Sequence, residues 1–244
     1  HGYDILCSIK PCLKEVTKMK ITYLQHSGFA VEFDTFSVLF DAISTPIPPL
    51  GTKKIYVLAS HAHSDHFSDV VFDLANQYDA TYILSDDISL ADNDHADQVF
   101  FVSEGNEYDF QDFRLKTFGS TDMGLSFYLD TPQAKLFHSG DLHWWHWYDD
   151  TDENNLAMEK QYKNYIAQLS TLPVDIAFVP VDPRLQDAYD YGINYFAKEI
   201  SPAIIIPMHF WNDFHILKKL PAEYNSGDTK VVFIHEDNEV IYST

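Results

Sequence analysis

The tightest constraint on the fold of this chain is the segment "LASHAHSDHFSD", residues 58–69, which sets His61, His63, Asp65 and His66 close together directly after the apolar run "KIYVLAS". In an extended segment alternate side chains face the same way, so His61, His63 and Asp65 can point to one side while His66 turns with the start of a helix. Imidazole nitrogens and carboxylate oxygens are good ligands for a divalent ion, and no cysteine stands nearby to compete. The segment reads as a metal loop at the mouth of a strand. The competing reading, surface histidines at a helix start, would suit one histidine better than three with an aspartate.

Short apolar runs rich in β-branched and aromatic residues recur along the whole sequence, from "KITYL" at 20 through "FAVEF", "SVLFD", "ATYILS", "QVFFVS", "FRLKTF", "LSFYLD", "AKLFHS", "DIAFVP" and "PAIIIP" to "KVVFIH" at 230. They predict strands. Helical patterns are expected at about 67–77, 153–170, 185–200 and 212–220. In the second, Leu156, Tyr162, Tyr165, Ile166 and Leu169 share a face, with Asp152 as the expected N-cap. Strands in two groups, with helices between and after them, predict two packed sheets with helices outside. No low-complexity linker divides the chain, so residues 19–244 are expected to form a single domain, with 1–18 as an extension or leader.

Composition narrows the functions. The 244 residues carry a formal net charge of −21 and only two arginines, Arg114 and Arg184. Phosphate affinity is carried mainly by Lys and Arg, so nucleic acid is not an expected partner. No apolar run approaches the length of a membrane span and no secretory signal pattern opens the sequence, so no membrane association and a cytoplasmic location are expected. Cys7 and Cys12 are too few and too isolated for a disulfide framework or a zinc ribbon.

The order of the elements carries a resemblance. An early strand ends in Asp41 ("VLFDA"), the HxHxDH segment follows a strand, Gly140-Asp141 follows "FHS", and a late strand ends in His209 ("IIPMHF"). This resembles the metallo-β-lactamase superfamily from about residue 20 to the end. The stretch "GSTDMGLSFYL...LFHSGDLHWWHW" is further similar to bacterial metal-dependent hydrolases near the ascorbate-phosphate lactonase group. The resemblance implies an α/β fold, an αββα four-layer sandwich of the metallo-β-lactamase type, with a binuclear site at one sheet edge. By position it implies His61 and His63 on a first metal, Asp65, His66 and His209 on a second, and Asp141 bridging both. Asp41 would hold the HxHxDH loop by hydrogen bonds.

One departure stands out. The family usually has a further histidine for the first metal, and here the corresponding segment, "TFGSTDMGLSF", has Ser120 and Thr121 at that place. Asp122 offers the nearest charged oxygen. With Asp122 the first site would be richer in oxygen, which suits manganese or iron better than an all-histidine set. The cofactor is expected to be one or two divalent ions, zinc first.

Such a centre implies a metal-dependent hydrolase acting on an ester, lactone or related bond of a small, uncharged or singly charged molecule. Asp65 would be a ligand, or would orient and deprotonate the water. The alternatives are a phosphodiesterase or sugar-phosphate lactonase, and a metal-binding protein without turnover, which the missing histidine motivates. Trp144, Trp145, Trp147 and Trp211 all lie close in sequence to Asp141 or His209 and could line a pocket or simply pack the loop. His143 and His146 could shuttle protons or be ordinary loop residues. His26 and His138 are expected to be buried supports rather than ligands, and His95, His215 and His235 to be ordinary. Asp182 and Arg184 are expected as a structural ion pair or as pocket lining.

Overall fold

The computed structural model describes residues 18–90 and 96–244. The extension assigned to residues 1–18 lies almost wholly outside them, as do Cys7, Cys12 and His95. In chain order the strands begin with β1 (Lys20–Gln25), β2 (Gly28–Glu32), β3 (Ser37–Phe40), β4 (Lys54–Ala59), β5 (Asp79–Ser85), β6 (Val99–Val102), β7 (Glu107–Asp109) and β8 (Arg114–Gly119). They continue with β9 (Leu125–Asp130), β10 (Lys135–His138), β11 (Ile176–Pro180), β12 (Ile204–Met208), β13 (Glu223–Tyr224), β14 (Thr229–Val231) and β15 (Val240–Ser243). Three α-helices, α1 (Asp152–Leu169), α2 (Tyr191–Ile200) and α3 (Phe214–Leu217), fall between them.

One sheet runs β15-β1-β2-β3-β4-β5-β6 and the other β13-β14-β12-β11-β10-β9-β8-β7. The strands of the first sheet alternate between two cores, as a period of two dictates. Val38, Phe40, Tyr56, Leu58 and Ile83 face inward to the core shared with the second sheet. Leu39, Ile55, Val57, Tyr82 and Leu84 face outward, where Val71 and Leu74 of the 3-10 turn Asp69–Asn76 cover them. In the second sheet the continuous apolar run of β11 is buried on both faces, against the first sheet on one side and α1 and α2 on the other. The four layers expected from the sequence are present. No helix among the described residues is long and apolar enough to cross a membrane.

The strand expectations hold, with the short β7, β13 and β15 added to them, except that the run expected at 230–235 is a strand only as far as Val231. The helix expectations need correction. Thr151, not Asp152, caps α1: its backbone is extended and its hydroxyl accepts from the Asn154 amide at 3.1 Å. Leu156 is exposed, because the buried stripe of α1 runs through Tyr162, Ile166 and Leu169. The segment 185–200 divides into a 3-10 turn, Pro183–Ala188, kinked within by Gln186 at a non-helical φ of 54°, and α2. The helix expected at 212–220 contracts to the single turn of α3.

Closure at the site edge depends on a close approach at Gly124. Its φ is +69°, and a Cβ there would lie 2.1 Å from the Ser60 carbonyl oxygen and 2.4 Å from Cβ of His61. Leu125 N–H donates to that same carbonyl at 2.9 Å, so the two sheets are laced together beside the metal loop. Gly124→Ala is therefore expected to destabilise the metal-free protein by about 2–3 kcal/mol through overlap and left-handed strain. Urea unfolding measures this, and an unchanged midpoint would contradict the close approach.

Candidate metal centre

The parallel arrangement of β3 with β4, and of β10 with β11 and β12, sends the carboxyl ends of these strands to one edge. Asp41 follows β3, Ser60 and His61 follow β4, Asp141 comes just after β10, Asp182 just after β11, and His209 follows β12. The turn between β1 and β2 adds His26, whose carbonyl accepts from the His209 amide at 3.2 Å. His26, Asp41 and His209 all have positive φ, at 52°, 40° and 61°. Strained backbone at three residues of one edge is what a site that must aim its side chains tolerates.

Hydrogen bonds set the tautomers. Asp41, fully buried, accepts from the Ser60 amide at 2.8 Å, from Ser60 Oγ at 2.7 Å and from His66 Nδ1 at 2.7 Å. With its own proton given to Asp41, Ser60 Oγ is left to accept from His61 Nδ1 at 3.0 Å. Asp182 accepts from His209 Nδ1 at 3.0 Å. Each of these rings thus has its Nδ1 proton pinned by an oxygen, which directs its Nε2 atom the other way. All three Nε2 atoms converge on Asp141: His66 at 3.1 Å, His209 at 3.4 Å and His61 at 3.5 Å.

This convergence is unfavourable for bare lone pairs. His66 Nε2 and Asp141 Oδ1 are buried and, despite their separation, are not aligned as a hydrogen bond; His26 Nε2 is likewise buried without one. Such atoms call for a cation. The charge balance agrees. Burial pushes the His66 imidazolium down, but Asp141 and Asp41 on either side outweigh it and raise the pKa to about 10, so without metal a proton takes the Nε2 position that a divalent ion would claim. Burial would raise Asp141, yet His66, His209 and His61 hold it well below the usual carboxylate range. Asp41 is lowered against its burial by His138 and His66. The ionised carboxylate of Asp141 therefore faces the place where the rings converge, Asp41 balances His66 from behind, and the donor set fits a divalent ion.

The ligand-capable atoms form three overlapping groups: His61, His66 and Asp141; His63, Asp122 and Asp141; and His26, Asp65, His66 and His209, each within 4.8 Å. Every sequence-expected site residue, His61, His63, Asp65, His66, Asp122, Asp141 and His209, lies in at least one of them. His63 Nδ1 lies 3.0 Å from His61 Nε2 and joins the exposed Asp122 on the solvent side of Asp141. His26, which the sequence reading set among the buried supports, lies within the group of ligand-capable atoms formed by Asp65, His66 and His209. Its Nε2 is 3.3 Å from Asp65 Oδ2, its ring centre 4.3 Å from that of His209, and burial lowers its pKa. His138 is a buried support as expected, donating Nε2 to the Ser27 carbonyl at 2.9 Å.

The surroundings divide. Thr121, at the place of the absent histidine, is used structurally: its hydroxyl donates to the His143 carbonyl at 2.6 Å and accepts from the His143 amide at 2.9 Å. His143 is fully buried, and burial pushes its imidazole down to about 3. His146 packs against Tyr148 and Tyr191. Among the tryptophans, Trp144 turns to Tyr162 and Tyr195 of the helices, whereas Trp145 and Trp211 pack on the His209 ring. Asp182 forms the ion pair with Arg184 that the sequence suggested, and it also holds His209, a contact that no local signal foretold.

Comparison with known proteins places the same elements in a wider set. A family model described as beta-lactamase superfamily domain matches residues 20–209. A UPF0173 metal-dependent hydrolase of Staphylococcus aureus is 26% identical over 236 residues, covering 88% of this chain and 96% of its own. One from Staphylococcus epidermidis is 30% identical over 186 residues, covering 70% and 74%. Among solved structures, Igni18, a metallo hydrolase from the archaeon Ignicoccus hospitalis, aligns with a TM-score of 0.61 at 18% identity, over 93% of this chain and 98% of its own. The metallo-beta-lactamase fold protein YhfI from Bacillus subtilis aligns with 0.57 at 13% identity, over 93% and 100%.

Proposed function

This chain belongs to the metallo-β-lactamase superfamily as a metal-dependent hydrolase, and we propose that it holds two divalent ions, zinc first, and hydrolyses an ester, lactone or related bond of a small molecule. The observation that carries the reading is the convergence of three Nδ1-pinned histidines on the buried carboxylate of Asp141. His61, His63, Asp122 and Asp141 would hold the first ion. His26, Asp65, His66, His209 and Asp141 offer the donors for the second. When bound, such ions polarise a substrate carbonyl and lower the pKa of water toward about 7.

The chain's own residues do the positioning. Asp41 fixes the metal loop through Ser60 and His66, and Asp182 fixes His209. Asp65 is half-exposed, and the neighbouring His26 holds its carboxyl well below the usual range, so it stays ionised and can ligate or accept a proton from water. Trp211, exposed and packed edge-on against His209, supports a substrate of modest size with an apolar part. Asp122 in the place of the family histidine favours manganese or iron as rivals to zinc at the first site.

The second reading, metal binding without turnover, is favoured by Thr121, whose hydroxyl is spent on the His143 backbone rather than offered to an ion. Metal content and turnover separate the two. Protein reconstituted with zinc is expected to hold two ions by plasma mass spectrometry, and Asp122→Asn about one, with hydrolysis of simple esters or lactones above background in the parent. Two ions retained in Asp122→Asn would remove Asp122 from the first site. Full metal with no turnover on esters, lactones or phosphodiesters would move the assignment to the second reading.

A further inference from the structure

We propose that Arg184 is the substrate anchor of this site: its guanidinium receives the carboxylate or phosphate of a small substrate with one anionic group, and the tryptophans around it cover the apolar body. This rests on the metal-hydrolase reading above and names its substrate class. Arg184 is one of only two arginines in a chain of net charge −21. Its Nε and Nη2 donate to the two oxygens of Asp182, at 2.9 Å to each from Nε and 2.5 Å from Nη2. That side-on pairing leaves the end-on edge of the fork, with Nη1, without a hydrogen bond among the described residues. The open edge has the geometry that takes an oxyanion through two parallel bonds.

A purely structural ion pair explains less. Asp182 is fully buried and already accepts from the Arg184 amide at 2.8 Å, from His209 Nδ1 at 3.0 Å and from Trp211 Nε1 at 3.2 Å. The arginine side chain, by contrast, is 46% exposed. Three indole rings nevertheless hold it: Cζ lies 4.7 Å from the ring centre of Trp211, 5.6 Å from Trp147 and 5.9 Å from Trp145. A long side chain fixed by one carboxylate and three rings has lost its rotamer freedom before any ligand arrives, so binding costs less ordering. The same anchor is tied to the metal site. Asp182 Oδ2 contacts both the guanidinium and His209, and Trp145 and Trp211 each pack 5.6 Å from the His209 ring. A substrate bonded to Arg184 would therefore lie along the wall that ends at the proposed ligand, with its far end toward the converged histidines.

Binding to the zinc-loaded full chain tests this without requiring turnover. Tryptophan fluorescence would follow titration with phenyl phosphate, phenylacetate and the neutral phenylacetamide. The unaltered protein is expected to bind at least one of the two anions about tenfold or more tighter than the amide. Arg184→Ala should lose that preference while leaving amide binding within about twofold, and Arg184→Lys, which keeps the charge but not the fork, should fall between. The two anions compared with each other tell a carboxylate site from a phosphate site. Zinc content and melting temperature are measured on each variant. If Arg184→Ala loses zinc, Arg184→Lys decides: weakened anion binding supports the anchor, and parent-like binding overturns it. Equal binding of anions and amide by the parent overturns it, as does an anion preference that survives in Arg184→Ala, since the metal alone would then hold the anion. Arg184-dependent binding in a protein that hydrolyses nothing would leave the anchor standing and remove the hydrolase reading.

Discussion

Replacing Asp141 by alanine is expected to strip metal from the protein and lower hydrolysis by about a thousandfold or more. The side chain is buried and stands 3.1–3.5 Å from three imidazole Nε2 atoms. It also belongs to both the solvent-side group with His63 and Asp122 and the inner group with His61 and His66. Its loss therefore removes the one anionic donor common to both and the carboxylate that faces the Nε2 atoms of all three rings. If metal supplies several kcal/mol of transition-state stabilisation, losing about 4 kcal/mol corresponds to about three orders of magnitude in rate. Plasma mass spectrometry and steady-state kinetics on the same preparation measure both effects. A variant that kept its metal and its rate would refute the proposed centre.

Asp41→Ala is expected to have the largest effect on stability, about 3–5 kcal/mol in the metal-free protein, or on the order of 10 °C in melting temperature. Asp41 reaches no solvent, and it neutralises His66 while accepting both the amide and hydroxyl of Ser60. Removing it leaves a buried imidazole without its partner and two donors unmet. Its φ of 40° adds strain for alanine that asparagine, more tolerant of the left-handed region, would feel less. Asp41→Asn should therefore fall between the two. Calorimetry in chelator measures this, and a shift below about 1 kcal/mol would show that other residues hold the metal loop.

Much of the site was legible because its signals are local. His61, His63, Asp65 and His66 are chain neighbours past an apolar strand, and Asp41, Asp141 and His209 each end or closely follow a recognisable apolar run. That the strands would form two packed sheets was equally readable from their grouping along the chain, whereas which side chains face which core was not, because β3 and β4 are apolar on both faces. The cap of α1 was misplaced by one residue because Thr151 and Asp152 carry equivalent local signals, and only the backbone angle decides between them.

His26, Asp182 and Arg184 could not be assigned from the chain alone. His26 sits in a hairpin turn far in sequence from His209, and they meet only because β1 and β12 belong to sheets packed face to face. Asp182 reaches His209, 27 positions away, because β11 and β12 pair in parallel and finish at the same edge. Which side chains can bind a metal, and which segments are strands, could be read along the chain, because donor chemistry and strand period are properties of neighbouring residues. Which Nε2 atoms face Asp141, and that a carboxylate and three indoles hold Arg184, were decided only by tertiary structure, through strand pairing and sheet packing between residues that no local pattern connects.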